Sequence, residues 1–231
     1  MELGDDANGE PVLEEMQSLL ESVYRVELDV RVTDFVIGTR EREVLCAQGA
    51  EPSSASEQLF VLHDDDGEGA SLALFIDDEV LARTRESEPL HALGPHNLSD
   101  FCLLAEGVSH FVYLAWKATR GEPVTQLELE LQAEVDKYVA CSIASCAQEN
   151  TRFRDALKAS LFQHVDFRAD LTPDESERYR TANRLALRYC EYLERSYLRG
   201  GGLQPAMGEL RRFYRMTQPS KLDHIAARLA A

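Results

Sequence analysis

The segment 98–119, LSDFCLLAEGVSHFVYLAWKAT, constrains the fold more than any other. Its apolar residues run almost all round a helix, and such a helix has to lie at the centre of a core, covered on every side. Its few polar residues are in register. Ser99, Glu106, His110 and Lys117 are spaced by seven, four and seven, and Tyr113 follows His110 by three, so they form one stripe. The chain has 231 residues, 44% of them apolar, which is enough for a sizeable core and too apolar for a disordered chain. No stretch reaches the roughly 18 to 20 uninterrupted apolar residues of a membrane span. The acidic start MELGDDANGE lacks the apolar run of a secretory signal. A soluble, cytoplasmic protein with no membrane partner is the expectation.

Helical signals continue after this segment. Thr125 and Glu128 have capping-box spacing at the head of a helix over 124–147, and a shorter helix covers about 152–165. In LTPDESERYR, Thr172 reads as an N-cap, Pro173 as a first-turn residue and Glu175 as the third position of a capping box. That helix runs to about Leu198 and stops at Gly200–Gly202; two short helices, about 205–215 and 219–229, follow.

The N-terminal part reads differently. Residues 11–23 keep helical spacing through Leu13, Met16, Leu19, Leu20 and Val23. Tyr24, Val26, Leu28, Val30 and Val32 then alternate with polar residues, the pattern of a half-buried strand. Residues 38–57 read as a loop with a short strand around Val44–Ala47. Gln58–Leu62 and Ala70–Ile76 flank HDDDGEG as a hairpin. The fold expected is α+β: a small antiparallel sheet with an N-terminal helix, followed by a bundle of five or six helices. The division falls between 1–93 and 94–231, two regions able to pack as one unit.

Charge divides the chain at a later point. The formal charge is −17, but residues 1–149 carry 31 acidic and 9 basic residues, a net of −22, whereas 150–231 carry 10 and 15, a net of +5. Arginine outnumbers lysine 20 to 4. The five cysteines, Cys46, Cys102, Cys141, Cys146 and Cys190, show no CxxC spacing and read as reduced thiols. Cys102, Cys141 and Cys190 lie in apolar helical patterns, as core residues do.

Two constellations carry chemistry. If helices 98–119 and 124–147 pack antiparallel about residue 121, Glu106, His110, Glu130 and Glu134 converge. Carboxylates and an imidazole between facing helices can bind a divalent metal or act as an acid–base pair. Glu106, His110 and Glu134 are the catalytic candidates, and Glu130 joins them as a metal candidate. The structural reading, which takes precedence, is an i,i+4 Glu106–His110 pair, with Glu106 or Glu134 bound to Lys137 or to an arginine from another helix. The sequence departs from the Glu-x-x-His pattern of di-iron bundles and has no HExxH. No cofactor other than a divalent metal is expected.

The second constellation is an arginine face. Arg180, Arg184, Arg188, Arg195 and Arg199 fall within about 100° on a helical wheel, and Arg211, Arg212 and Arg215 follow in the next helix. Arginine forks suit carboxylates and phosphates. A solvated or internally paired face, partly neutralised by Glu177 and Glu191, is the first reading. As a binding face it suits an acidic surface, this chain's own first part included, better than nucleic acid, because the net negative charge opposes long-range attraction to the latter. HDDDGEG lacks the ligand order of an EF-hand and reads as a turn. Nucleophile-elbow, P-loop and dinucleotide-binding motifs are absent. His224 reads as a surface or cap-side residue, and His164 as a complement to its helix dipole. The expected function is therefore a protein-interaction or regulatory role through the Arg-rich C-terminal part. A metal-dependent or acid–base enzyme using the Glu/His cluster is the alternative, and nucleic-acid binding the third.

Overall fold

The computed structural model describes residues 10–50, 53–63, 70–147, 156–163, 165, 167–198 and 203–229. Helix α1 (Glu10–Tyr24) buries Leu13, Met16, Leu20 and Val23 at helical spacing. A 3₁₀ turn (Val32–Phe35) leads into β1 (Val36–Ile37), then α2 (Thr39–Ala47), β2 (Glu57–His63) and β3 (Ala70–Ile76). Helices α3 (Asp78–Ser87), α4 (Pro89–Ala92), α5 (Leu98–Thr119) and α6 (Gln126–Ala147) follow. After a π-helical segment at Ala159–Gln163 come α7 (Pro173–Tyr197), α8 (Met207–Tyr214) and α9 (Gln218–Leu229).

Helix α5 is the central element that its composition requires. By length and hydropathy alone it would suit a membrane, but α1, α3, α6 and the strands β2 and β3 pack around it. Helix α6 lies between α5 and α7, α8 packs on α1, and α9 packs on α7. Buried apolar residues from Leu13 to Ile225 belong to one cluster that crosses the expected boundary near residue 93.

The architecture is α+β with a helical bundle, as expected, but the sheet is mixed. Its order is β1-β3-β2, with β2 antiparallel to β3 and β1 parallel to it. Leu72, Leu74 and Ile76 face the main core, while Ala73 and Phe75 join Phe60 in a second cluster with Ile37, Leu45 and Leu62. Burial on both faces explains why β3 reads as an apolar run. The strands flank HDDDGEG as expected; residues 64–69 themselves lie outside the described residues.

Three N-terminal expectations are corrected. The alternating segment from Tyr24 to Val32 is not a strand. Arg25 takes a left-handed φ of 51° just after α1, and Gln17 satisfies the segment's backbone by donating to the Val30 carbonyl and accepting from the Val32 N–H. Tyr24 from the end of α1, Val26 from irregular chain and Val32 from the start of the 3₁₀ turn reach the core individually. Residues 39–47 form α2 instead of a loop with a short strand. This helix buries no residue fully, so it leaves no apolar stripe; Leu45 and the Arg42 guanidinium, 4.2 Å from the Phe75 ring centre, hold it to the sheet. Helices α3 and α4 were not expected at all; Asp77 caps α3 through the Glu79 N–H.

The described helical boundaries after Asn97 agree closely with expectation, except that the short helix expected over about 152–165 is π-helical at Ala159–Gln163 and its start, 152–155, lies outside the described residues. Thr172 and Glu175 form a complete capping box on α7. The box expected at Thr125 is only half made: Thr125 accepts from the Glu128 N–H, but the Glu128 carboxylate turns into the core. Gly200–Gly202 and His164 lie outside the described residues. No disulfide joins the five cysteines; Cys141 and Cys190 are buried and Cys102 is half-buried.

Candidate functional site

The antiparallel packing of α5 on α6 brings Glu106, His110, Glu130 and Glu134 together. Lys137 donates to Glu106 at 2.8 Å and to Glu134 at 2.9 Å, which is the structural pairing foreseen for these carboxylates. The expected i,i+4 Glu106–His110 pair is not made; among the described residues His110 faces carboxylates from two other elements. Its Nδ1 lies 3.3 Å from Glu57 Oε1 on β2, and its Nε2 lies 3.5 Å from Glu130 Oε2 on α6. The other oxygen of Glu130 faces Arg178 of α7 at 3.9 Å.

Glu57, Arg178 and Gly107 are the participants that the sequence reading missed. Glu57 opens β2 on the same face as Leu59, which packs in the main core. A carboxylate on the core-facing side of a strand was the available signal. It reaches His110 across Gly107, where a Cβ would stand 2.8 Å from Glu57 Cγ. Arg178, adjacent to Tyr179, points away from the exposed arginines and into the cluster.

Burial and mutual charge set the protonation of the group. Burial alone would lower the His110 pKa, but Glu57 and then Glu130 outweigh it and hold the imidazole well above its ordinary value. Burial raises Glu57 against the pull of His110, so this pair keeps a proton through neutral pH. Burial also raises Glu134 against Lys137. For Glu106 the ammonium of Lys137 and then His110 overcome burial and lower the carboxyl.

A cleft of about 350 Å³ opens onto this cluster. Glu57, Glu106, Glu134 and Lys137 line its polar end, and Leu103, Val165, Phe167 and Leu171 supply apolar wall. Arg168 and Tyr179 also line it.

The rest of the α5 polar stripe does other work. Ser99 is exposed at its start. Tyr113 and Lys117 belong to a second buried network, toward the other end of the helix. There Asp136 accepts from Tyr24, from Ser109 at 2.6 Å and from Gln132 at 2.8 Å. Lys221 of α9 donates to Gln132 at 2.7 Å and to Tyr113 at 3.0 Å, and Tyr113 donates to Glu128 at 2.6 Å. Glu128 also accepts the Gln218 N–H in the first turn of α9. This network ties α9 to α5 and α6.

The arginine face divides as well. Arg180, Arg184, Arg188 and Arg195 are exposed on α7, and none of them forms an ion pair among the described residues. Arg199 lies outside the described residues. Arg211 and Arg215 do not extend the face freely: they donate to the carbonyls of Val23 and Arg25 at 2.8 and 3.1 Å and tie α8 to the end of α1. Arg212 is exposed. His224, expected at the surface, is buried and hydrogen-bonded to Glu209 of α8. The amphipathic packing of α9 on α7 turns it inward, beside Tyr189 and Phe213. Comparison with protein-family models, with curated proteins and with solved structures finds no match to this chain.

Proposed function

We propose that the protein is an enzyme that performs general acid–base chemistry on a small molecule held in the cleft between β2, α5, α6 and α7. One observation carries the reading: Glu57, Glu106, Glu134 and Lys137 converge from three elements on the end of a cleft of about 350 Å³. A purely structural ion-pair network has no need of an adjoining cavity, and this volume lies within the range of about 300 to 1,000 Å³ typical of small-ligand sites. Glu134 is the proton-transferring group, since its carboxylate faces the cleft. Lys137 bridges it to Glu106 and fixes the orientation of both. The ligand's polar end, with donors or positive charge, faces the carboxylates. Its apolar part lies on Leu103, Val165, Phe167 and Leu171, which keep water from the reacting end.

A thermal-shift and NMR screen of small amines, amides and amino acids tests this. A ligand stabilises the wild type and fails to stabilise Leu103→Trp, which fills the cleft. With the substrate in hand, Glu134→Gln lowers turnover about 10²–10⁴-fold, the usual contribution of a general acid or base. Ligand binding that persists in Leu103→Trp places the site elsewhere and removes the reading.

The unpaired arginines on α7 support a second reading, a docking face for an acidic protein surface. Binding that weakens with salt, and is abolished by Arg184→Glu with Arg188→Glu, is its signature. A partner captured equally well by that double variant refutes it, and tight binding of single-stranded nucleic acid in its place would favour the phosphate alternative.

A further inference from the structure

We propose that Glu106, His110 and Glu130 form the inner ligands of a site for one divalent first-row transition-metal ion, such as zinc or manganese, at the deep end of the cleft. The inference deepens the acid–base reading above and rests on it for its catalytic use. Each of the three residues offers a ligand atom, and these atoms all lie within 4.8 Å of one another. Bonds of about 2.0 to 2.2 Å to nitrogen and oxygen require little more than small side-chain rotations to close that triangle.

The unpartnered nitrogen of His110 separates a metal site from an ordinary acidic cluster. The His110 side chain is 7% exposed. Its Nε2 is buried and makes no hydrogen bond, yet it faces Glu130 Oε2 at 3.5 Å. Its Nδ1 lies against Glu57 Oε1. In the free protein a proton on Nε2 faces the Glu130 carboxylate; a metal ion that displaces it takes the same place between the Nε2 lone pair and Oε2, with the Nδ1 proton kept toward Glu57.

Outer partners complete the pattern. Glu57 orients His110, Lys137 orients Glu106, and Arg178 stands beside Glu130. A carboxylate behind the metal-bound imidazole and charged groups behind the metal-bound carboxylates are the usual supports of such a site. Gly107 leaves the space through which Glu57 reaches the ring. The charges also close: two carboxylates and a neutral imidazole balance a divalent ion, while Lys137 and Arg178 offset Glu57 and Glu134. Mixed nitrogen and oxygen donors favour zinc, manganese or iron(II) over calcium. Glu106 lines the cleft itself, so a further coordination position faces the bound ligand.

Calorimetric titration of the chelator-treated full chain with zinc, and separately with cobalt(II), tests the site. One equivalent binds, and the cobalt complex shows a visible absorption band. His110→Gln and Glu130→Gln each weaken binding about 100-fold or more, and Glu57→Gln, an outer partner, about 10- to 100-fold. X-ray absorption at the zinc edge of the unsubstituted protein shows one imidazole in the first sphere, a readout independent of whether any variant folds. Zinc and cobalt that fail to bind the wild type at 100 μM, taken as roughly the scale of adventitious surface binding, overturn the site. So does binding that His110→Gln leaves unchanged. Wild-type protein that binds neither metal yet takes a cleft ligand, blocked by Leu103→Trp, would sink the metal site and leave the acid–base reading standing. Metal binding without any cleft ligand would do the reverse.

Discussion

Replacing Lys221 by Met isolates the cost of one buried charge. Lys221 is fully buried, and burial pushes its ammonium from 10.5 down to about 7 even though Glu128 and Asp136 favour the charge. One pKa unit corresponds to about 1.4 kcal/mol, so keeping the ammonium charged inside the fold costs roughly 5 kcal/mol. Between about 7 and 10.5 the unfolded chain holds this proton and the folded chain does not. Stability therefore rises with pH across that window, and the full cost applies below it. Asp136 has the opposite sign. Burial raises it from 3.8 to about 6, against hydrogen bonds from Ser109, Tyr24 and Gln132. Its contribution, roughly 3 kcal/mol, is present in acid and is lost as pH rises through about 6. The two groups together predict a trough in stability at about pH 6 to 7. Urea unfolding from pH 4 to 9.5 of the wild type, Lys221→Met and Asp136→Asn measures it. The wild type gains roughly 3 kcal/mol on Lys221→Met between pH 7 and 9. The hydrogen bonds lost with Lys221 add only a pH-independent offset. Parallel curves for the two proteins from pH 7 to 9.5 would refute a destabilised ammonium at this position.

Gly107→Ala is expected to give no net stabilisation, although Ala is favoured over Gly inside a helix by about 1 kcal/mol. The new Cβ would stand 2.8 Å from Glu57 Cγ, so Glu57 shifts and zinc affinity falls, which calorimetry reads directly. Thr172→Ala removes half of the capping box on α7 and costs about 1 kcal/mol in chemical denaturation. Arg184→Glu with Arg188→Glu changes stability by less than about 0.5 kcal/mol, because neither guanidinium has a carboxylate partner among the described residues. A larger loss would show that the face is held by contacts within the fold.

The helical half of the fold was legible because its signals are local and agree with one another. In α7 the cap, the first-turn proline and the apolar stripe through Ala182, Ala186, Tyr189 and Leu193 point to one helix. The N-terminal half failed where tertiary contacts overrode pattern. The alternation from Tyr24 to Val32 matches a strand, yet Gln17 supplies the hydrogen bonds that a neighbouring strand would otherwise make. The opposite failure occurred at α2, where a single small cluster under Leu45 secures a helix that is polar on almost every face. Periodicity reads burial, and neither segment is buried in a periodic way.

The site was half legible for a related reason. Glu106, His110, Glu130 and Glu134 sit on two sequential helices, so their convergence follows from spacing and the position of one turn. Glu57 and Arg178 come from segments more than forty residues away on either side, and no local rule connects them to His110. Their arrival changes the chemistry. Glu106 held by Lys137 is a satisfied ion pair, as the structural reading had it. His110 is different, because its two nitrogens face carboxylates from two other elements, and Nε2 meets Glu130 at 3.5 Å without a made hydrogen bond. The unsatisfied nitrogen is therefore a consequence of the tertiary fold. It also decides what the cluster can hold: a proton shared across the Glu57–His110 pair in the free protein, or a cation between His110 and Glu130 that releases it.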